Sequence, residues 1–149
     1  MDLTTTFPRS VHEKIAGVVM LARTADKAKA VAHGNVGEYH YNCPMDQGVF
    51  SFLGIDQAAF LDVVKNAKSD AEIDAYVKTF AEKKSAAEIA DFNEHFLQHK
   101  PDPGSEGEGY FLSLRNSVAP DRTDVTTWAD LLDLDEKRHV PQRTAVAAH

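Results

Sequence analysis

The sequence predicts a mainly α protein, a compact single-domain bundle of about six helices with at most a small strand element. Three observations carry this. Three Ser-x-x-Glu boxes (Ser10 to Glu13, Ser69 to Glu72, Ser85 to Glu88) each stand before apolar residues at helical spacing. Two further apolar runs open on residues suited to a helix start, Pro44 and Asp56. The composition, 43% apolar and 26% charged over 149 residues, is that of a globular chain large enough for one core.

The first helix is expected from Ser10 to about His33, with Ile15, Val18, Val19, Ala22 and Ala25 inward and Gly34 as the stop. Pro44 suits the first turn of a second helix carrying Met45, Val49, Phe50 and Phe52 to Gly54. Asp56 can cap a third, with Phe60, Leu61, Val64 and Ala67 inward. After Ser69, the residues Ile73, Tyr76, Val77 and Phe80 form an i, i+3, i+4, i+7 stripe. After Ser85, Ile89, Phe92, Phe96 and Leu97 continue at helical spacing, ending before Pro101. Tyr39 to Asn42 reads as extended, because Pro44 pushes Cys43 out of helical geometry. The Gly- and Pro-rich stretch 101–109 reads as a surface loop, and Tyr110 to Leu114 as a strand or a helical turn. A last helix covers Thr126 to about Asp135. Residues 1–139 are thus expected to form a single domain and 140–149 a flexible tail with no apolar anchor.

A net charge of −7 offers no basic stripe for phosphates and argues against nucleic acid as a partner. One cysteine excludes an intrachain disulfide and Cys-rich zinc frameworks. The start Met1-Asp2-Leu3 lacks a basic leader, and no apolar run nears the ~18 residues of a membrane span. The expected setting is cytoplasmic. Partners are a small-molecule ligand, with neither nucleic acid nor membrane, and a homodimer is compatible with the reading. No Gly-rich phosphate loop or dinucleotide fingerprint appears, so no organic cofactor is expected.

The run from Gly37 to Asp46 concentrates chemistry: Glu38, Tyr39, His40, Tyr41, Asn42, Cys43 and Asp46. His40 suits a general acid or base near neutral pH. Glu38 can orient it if the segment is extended, with Tyr39 and Tyr41 on the opposite face. Asp26 breaks the apolar stripe of the first helix and needs a cationic partner, for which Arg23 at i−3 stands ready, with Lys27 or Lys29 as fallback. The expected catalytic set is therefore His40, Glu38 and Asp26. Arg23, Lys27, Tyr39, Tyr41, Asn42, Cys43, Asp46 and Arg122 are expected to bind or wall in the substrate. Cys43, at a helix start near His40, also suggests a Cys–His nucleophile, but lacks a third orienting residue. A metal site from His33, His40, Cys43 and Asp46 matches no zinc spacing, and no metal is expected. The six acids between Asp121 and Glu136 read as a solvated face with Asp124 as a helix cap. Arg115 and Arg122 pair with these acids, or clamp an anion.

Three segments also resemble a known family: Ala22-Arg23 with Asp26-Lys27-Ala28, then Gly37 to Gln47, then Arg122 to Asp133. The family is bacterial and is catalogued as a domain of unknown function (number 5069). The resemblance runs from Pro8-Arg9-Ser10 to Arg138, leaves no room for a second domain, and brings no activity with it. Three functions follow from the residues. The first is an enzyme using acid–base chemistry, of lyase, isomerase or hydrolase type. The second is a non-catalytic module that binds a metabolite. The third is a helical interaction protein in which the 37–46 run only packs. The enzyme leads, because the run mixes titratable groups of both signs with aromatics.

Overall fold

The structure is a computed structural model, and it describes residues 1–143. Its secondary structure is overwhelmingly helical. A two-strand hairpin, β1 (Lys14–Ile15) and β2 (Val18–Val19), precedes α1 (Leu21–Ala32), α2 (Pro44–Leu53), α3 (Gln57–Asn66) and α4 (Asp70–Ala81). Then come α5 (Ala86–Leu97), α6 (Glu106–Val118) and α7 (Trp128–Asp135). The chain falls into two compact units, Met1–Glu94 and His95–His149. Among the described residues, no helix is long and apolar enough to cross a membrane.

In the first unit α1 is the axis. Every residue from Leu21 to Ala28 is buried, polar ones included, and the helix packs against α2, α3 and β1. The surrounding core is aromatic and β-branched: Phe50 and Phe60 lie 5.2 Å apart, and Val49, Val64, Ile73 and Val77 are fully enclosed. The expected start and stop of α2 and the expected start of α3 hold. Pro44 opens α2, Gly54 closes it in the left-handed region (φ 77°), and the Asp56 carboxylate accepts from the Ala59 N–H at 2.9 Å.

The first helix begins eleven residues later than the Ser10 box suggested, at Leu21. Ser10 and Glu13 make a local turn, with the Ser10 N–H donating to Glu13, but Ala16 and Gly17 both take positive φ (52° and 80°). Two such residues in succession make the primed turn that matches strand twist, so the chain reverses there into the hairpin. The small strand element therefore lies at 14–19 and not at Tyr39–Asn42, which ends in a turn with Asn42 at φ 62°. The turn is tied down from afar. Asp74 accepts from the Ala16 N–H at 2.8 Å, while Asn93 accepts from the Val19 N–H and donates to the Gly17 carbonyl.

The second unit has a core of Phe111, Val125, Leu131 and Val140, flanked by Leu114, Trp128 and Leu134. Its α6 is the helix that the loop reading of 101–109 missed. Ser105 caps it by accepting from the Glu108 N–H at 3.1 Å, and Glu108 accepts from the Gly104 N–H at 3.0 Å. Val140 is 4% exposed, so the described start of the tail has the apolar anchor that the sequence reading denied it; residues 144–149 lie outside the described part. Of the six acids from Asp121 to Glu136, Asp121 and Asp135 are exposed as expected, but the face is not solvated throughout. Asp130, Asp133 and Glu136 are buried, and arginines answer them: Arg143 grips Asp130 with two bonds, and Arg138 faces Asp133 and Glu136. Thr127, not Asp124, caps α7.

Candidate functional site

The candidate residues of the first unit lie on α1, on the 34–43 segment that follows it, and on the first turn of α2. The segment's backbone bonds lie mostly at its ends: Gly34 and Asn35 donate to Val31 and Ala30, the Asn35 and Cys43 carbonyls accept from Leu3 and Gln47, and Tyr39 donates back to Val36. Gly37, at φ 60°, passes so close to Leu3 that a Cβ there would stand 3.1 Å from its carbonyl oxygen. Side chains do the rest of the holding.

Lys27 is the centre of that holding. Its ammonium donates to the His40 carbonyl (2.9 Å), to Cys43 Sγ (3.4 Å) and to Asp46 Oδ2 (2.7 Å). These use all three of its protons, so none remains for the substrate-anchoring role expected of it. Asp46 is fully buried, and each carboxylate oxygen is answered. Oδ1 takes the Thr24 hydroxyl at 2.6 Å, while Oδ2 takes Lys27 and the Cys43 N–H at 3.2 Å. A buried carboxylate is tolerable on those terms, with a full cation and two further donors against it.

Two aromatics complete the fastening. The Tyr41 hydroxyl donates to the Gln57 carbonyl at 2.6 Å, and its ring meets Phe50 edge-on at 6.1 Å. Burial pushes the Tyr41 phenol above its ordinary range, and the negative charges of Asp46 and Asp56 push the same way. Arg23 lies over the Tyr39 ring, 5.6 Å from its centre, and donates to the Arg9 carbonyl at 3.2 Å. Glu38 and His40 face outward and are exposed, while Tyr39 and Tyr41 are half-buried. The alternation expected of an extended segment thus survives in one that forms no strand. Asn42 is half-buried, and its carbonyl takes the Gln47 side chain at 2.8 Å.

Asp26 is buried, as its place in the apolar stripe implied, but its partner is not Arg23. Arg9, seventeen residues earlier, gives it three hydrogen bonds: backbone N–H at 2.8 Å, Nε at 3.1 Å and an η nitrogen at 3.1 Å. The same guanidinium reaches Asp70 at the start of α4 at 2.7 Å. Burial works against the Arg9 charge, but the bonds to Asp26 and Asp70 outweigh it and hold the group more firmly protonated. Asp26 therefore serves Arg9, and none of its hydrogen bonds joins it to His40 or Glu38. Arg9 and Thr24 are the residues that sequence reasoning missed.

Arg122 belongs to the second unit. It grips Asp124 with two bonds of 2.9 and 3.0 Å and donates to the Pro141 carbonyl, the pairing with a neighbouring acid expected as the alternative to anion binding. Arg115 donates to the Val125 carbonyl instead of an acid. Among the described residues, no three His, Cys, Asp or Glu side chains converge to hold a metal ion; the cation that Asp46 and Cys43 face is Lys27.

The model of one family, "Domain of unknown function (DUF5069)", matches residues 5–138. The chain belongs to this family. The DUF5069 match takes in Arg9, Asp26, Lys27, the 34–43 segment and Asp46, and it extends through Arg122 and α7. No curated protein matches the chain.

Proposed function

We propose that this DUF5069 chain is an acid–base enzyme acting on a small polar metabolite, with His40 as the proton-transferring group. The observation that carries the reading is a contrast within one residue. The His40 backbone carbonyl is pinned by the buried Lys27 ammonium at 2.9 Å, while the residue itself is exposed. A rigid backbone under an accessible imidazole is what general acid–base catalysis asks of a loop. Glu38, exposed on the same side of the alternating segment, supplies a neighbouring negative charge. In this reading Lys27, Asp46, Arg23 and Asp26 are positioning residues, and Tyr39, Tyr41, Asn42 and Cys43 form the wall.

The reaction is of lyase, isomerase or hydrolase type, with no organic cofactor. The setting is cytoplasmic, in keeping with the acidic charge of −7, and the protein works alone or as a homodimer. The runner-up is a binding module that uses the same exposed face without turnover.

A screen of small carboxylates, amides and sugars for turnover, repeated with His40→Ala, tests the proposal. Turnover lost in His40→Ala while the melting temperature stays within a few degrees supports catalysis. Ligand binding that survives in both proteins without turnover moves the binding module ahead. Turnover that persists in His40→Ala overturns the assignment of His40.

A further inference from the structure

We propose that Cys43 and Lys27 form an oxidative cross-link, a sulfenamide joining Sγ to Nζ, with hydrogen peroxide as the co-reactant. The two atoms already touch at 3.4 Å, and nothing has to move far for a bond to form. Cys43 is half-buried, so the residue is not sealed from solvent. Lys27, by contrast, is 3% exposed and held in register by Asp46 and the His40 carbonyl.

The usual fate of a protein sulfenic acid is capture by a second thiol, or by a nearby nitrogen when no thiol is available. This chain has one cysteine, which removes the first route within the molecule. The nitrogen that the fold sets against the sulfur is an amine, a better nucleophile than the backbone amides that form such bonds elsewhere.

The step balances with one peroxide. In the first stage the sulfur attacks one peroxide oxygen, an S–O bond forms, the O–O bond breaks and water leaves. Sulfur is oxidised by two electrons and peroxide is reduced by two. In the second stage the Lys27 ammonium gives a proton to Asp46 Oδ2, 2.7 Å away. The freed lone pair attacks sulfur, the S–O bond breaks, and the departing hydroxide takes a proton from the nitrogen and leaves as water. The product is a neutral S–N bridge beside a protonated Asp46. The buried ion pair is thereby discharged, and the 34–43 segment becomes covalently tied to α1.

The test is mass spectrometry of the full chain before and after treatment with hydrogen peroxide, followed by digestion. The expected product is lighter by two hydrogens, yields one peptide pair joined through Cys43 and Lys27, and reverts with dithiothreitol. Lys27→Arg should lose the joined pair and instead carry oxygen on Cys43. Recovery of wild-type Cys43 as sulfinic or sulfonic acid with Lys27 unmodified would overturn the proposal. So would a bridge that retains oxygen between sulfur and nitrogen. Should Lys27→Arg fail to fold, the wild-type digest decides by itself.

Discussion

The Lys27 ammonium and the Asp46 carboxylate meet at 2.7 Å with side-chain exposures of 4% and 0%. Neither charge can return to water without opening the unit. Removing one partner strands the other, which costs about 3–5 kcal/mol in a buried pair. Lys27→Met and Asp46→Ala should each lower the urea midpoint accordingly. The double variant Lys27→Met/Asp46→Leu should recover a large share, because an apolar pair replaces two desolvated charges. Single variants that unfold at the wild-type midpoint would refute the buried pairing.

Arg9 should matter more than Arg23 to the stability of Asp26. Arg9→Ala removes two side-chain bonds from a buried carboxylate, a loss of roughly 2–3 kcal/mol after allowance for the partial exposure of the guanidinium. The backbone donor survives the substitution, which keeps the figure from rising further. Arg9→Lys should fall between, since the charge stays and the fork is lost. Equal midpoints for Arg9→Lys and wild type would show that charge alone, and not the bidentate grip, holds Asp26.

The boxes at Ser69, Ser85 and Ser105 should separate on substitution. Ser85 accepts from the Glu88 N–H at 3.0 Å while Glu88 accepts from Ser85, and Ser105 accepts from the Glu108 N–H at 3.1 Å while Glu108 accepts from Gly104. Ser85→Ala and Ser105→Ala should each cost about 1 kcal/mol. Ser69 makes no side-chain cap bond, and Glu72 reaches back to the Lys68 N–H. Ser69→Ala should stay within about 0.5 kcal/mol of wild type, as ordinary surface changes do. Denaturant midpoints of the three variants give the order directly.

Asp124 supplies the pH dependence. Hydrogen bonds from Arg122 hold its carboxyl well below its ordinary value of 3.8, with the Arg143 N–H adding to them and burial opposing. The folded value is depressed, so the stabilisation is complete above the unfolded value and fades as pH falls through the folded one. Asp124→Asn should therefore trail wild type by a constant margin from neutral pH down to about 4, and the gap should close in stronger acid. A gap that stays open throughout the acid range would place the effect in packing and not in charge.

How much of this could be read from the residues depended on how far each cause acts. Both bounds of α2 and the start of α3 follow from Pro44, Gly54 and Asp56, all local signals, and the structure keeps them. The start of α1 did not, because the Ser10 box is real as a turn while Ala16 and Gly17 turn the chain back before a helix can form. For α6 the signal was present: Ser105 and Glu108 stand at box spacing, but three glycines and two prolines around them pointed to a loop. Asp26 was rightly read as buried and charged, and wrongly partnered. A helix offers Arg23 at i−3, whereas Arg9 arrives through the path of the N-terminal segment, which no local spacing encodes. The inward and outward faces of Glu38 to Tyr41 were legible from alternation alone. That Lys27 serves as the clasp was not, since its three acceptors come from residues 40, 43 and 46.

The tie between Asn93 and the hairpin has a consequence for synthesis. Val19 and Gly17 bond to a side chain 74 and 76 residues downstream, and Ala16 bonds to one 58 downstream. The first twenty residues therefore emerge long before their partners exist, and at about 5–20 residues per second they wait several seconds for α5. During that interval the hairpin is a protease target and an open edge for other nascent chains. Ribosome-held chains stopped before residue 93 should be clipped near Ala16, and chains extended far enough to free α5 from the exit tunnel should resist.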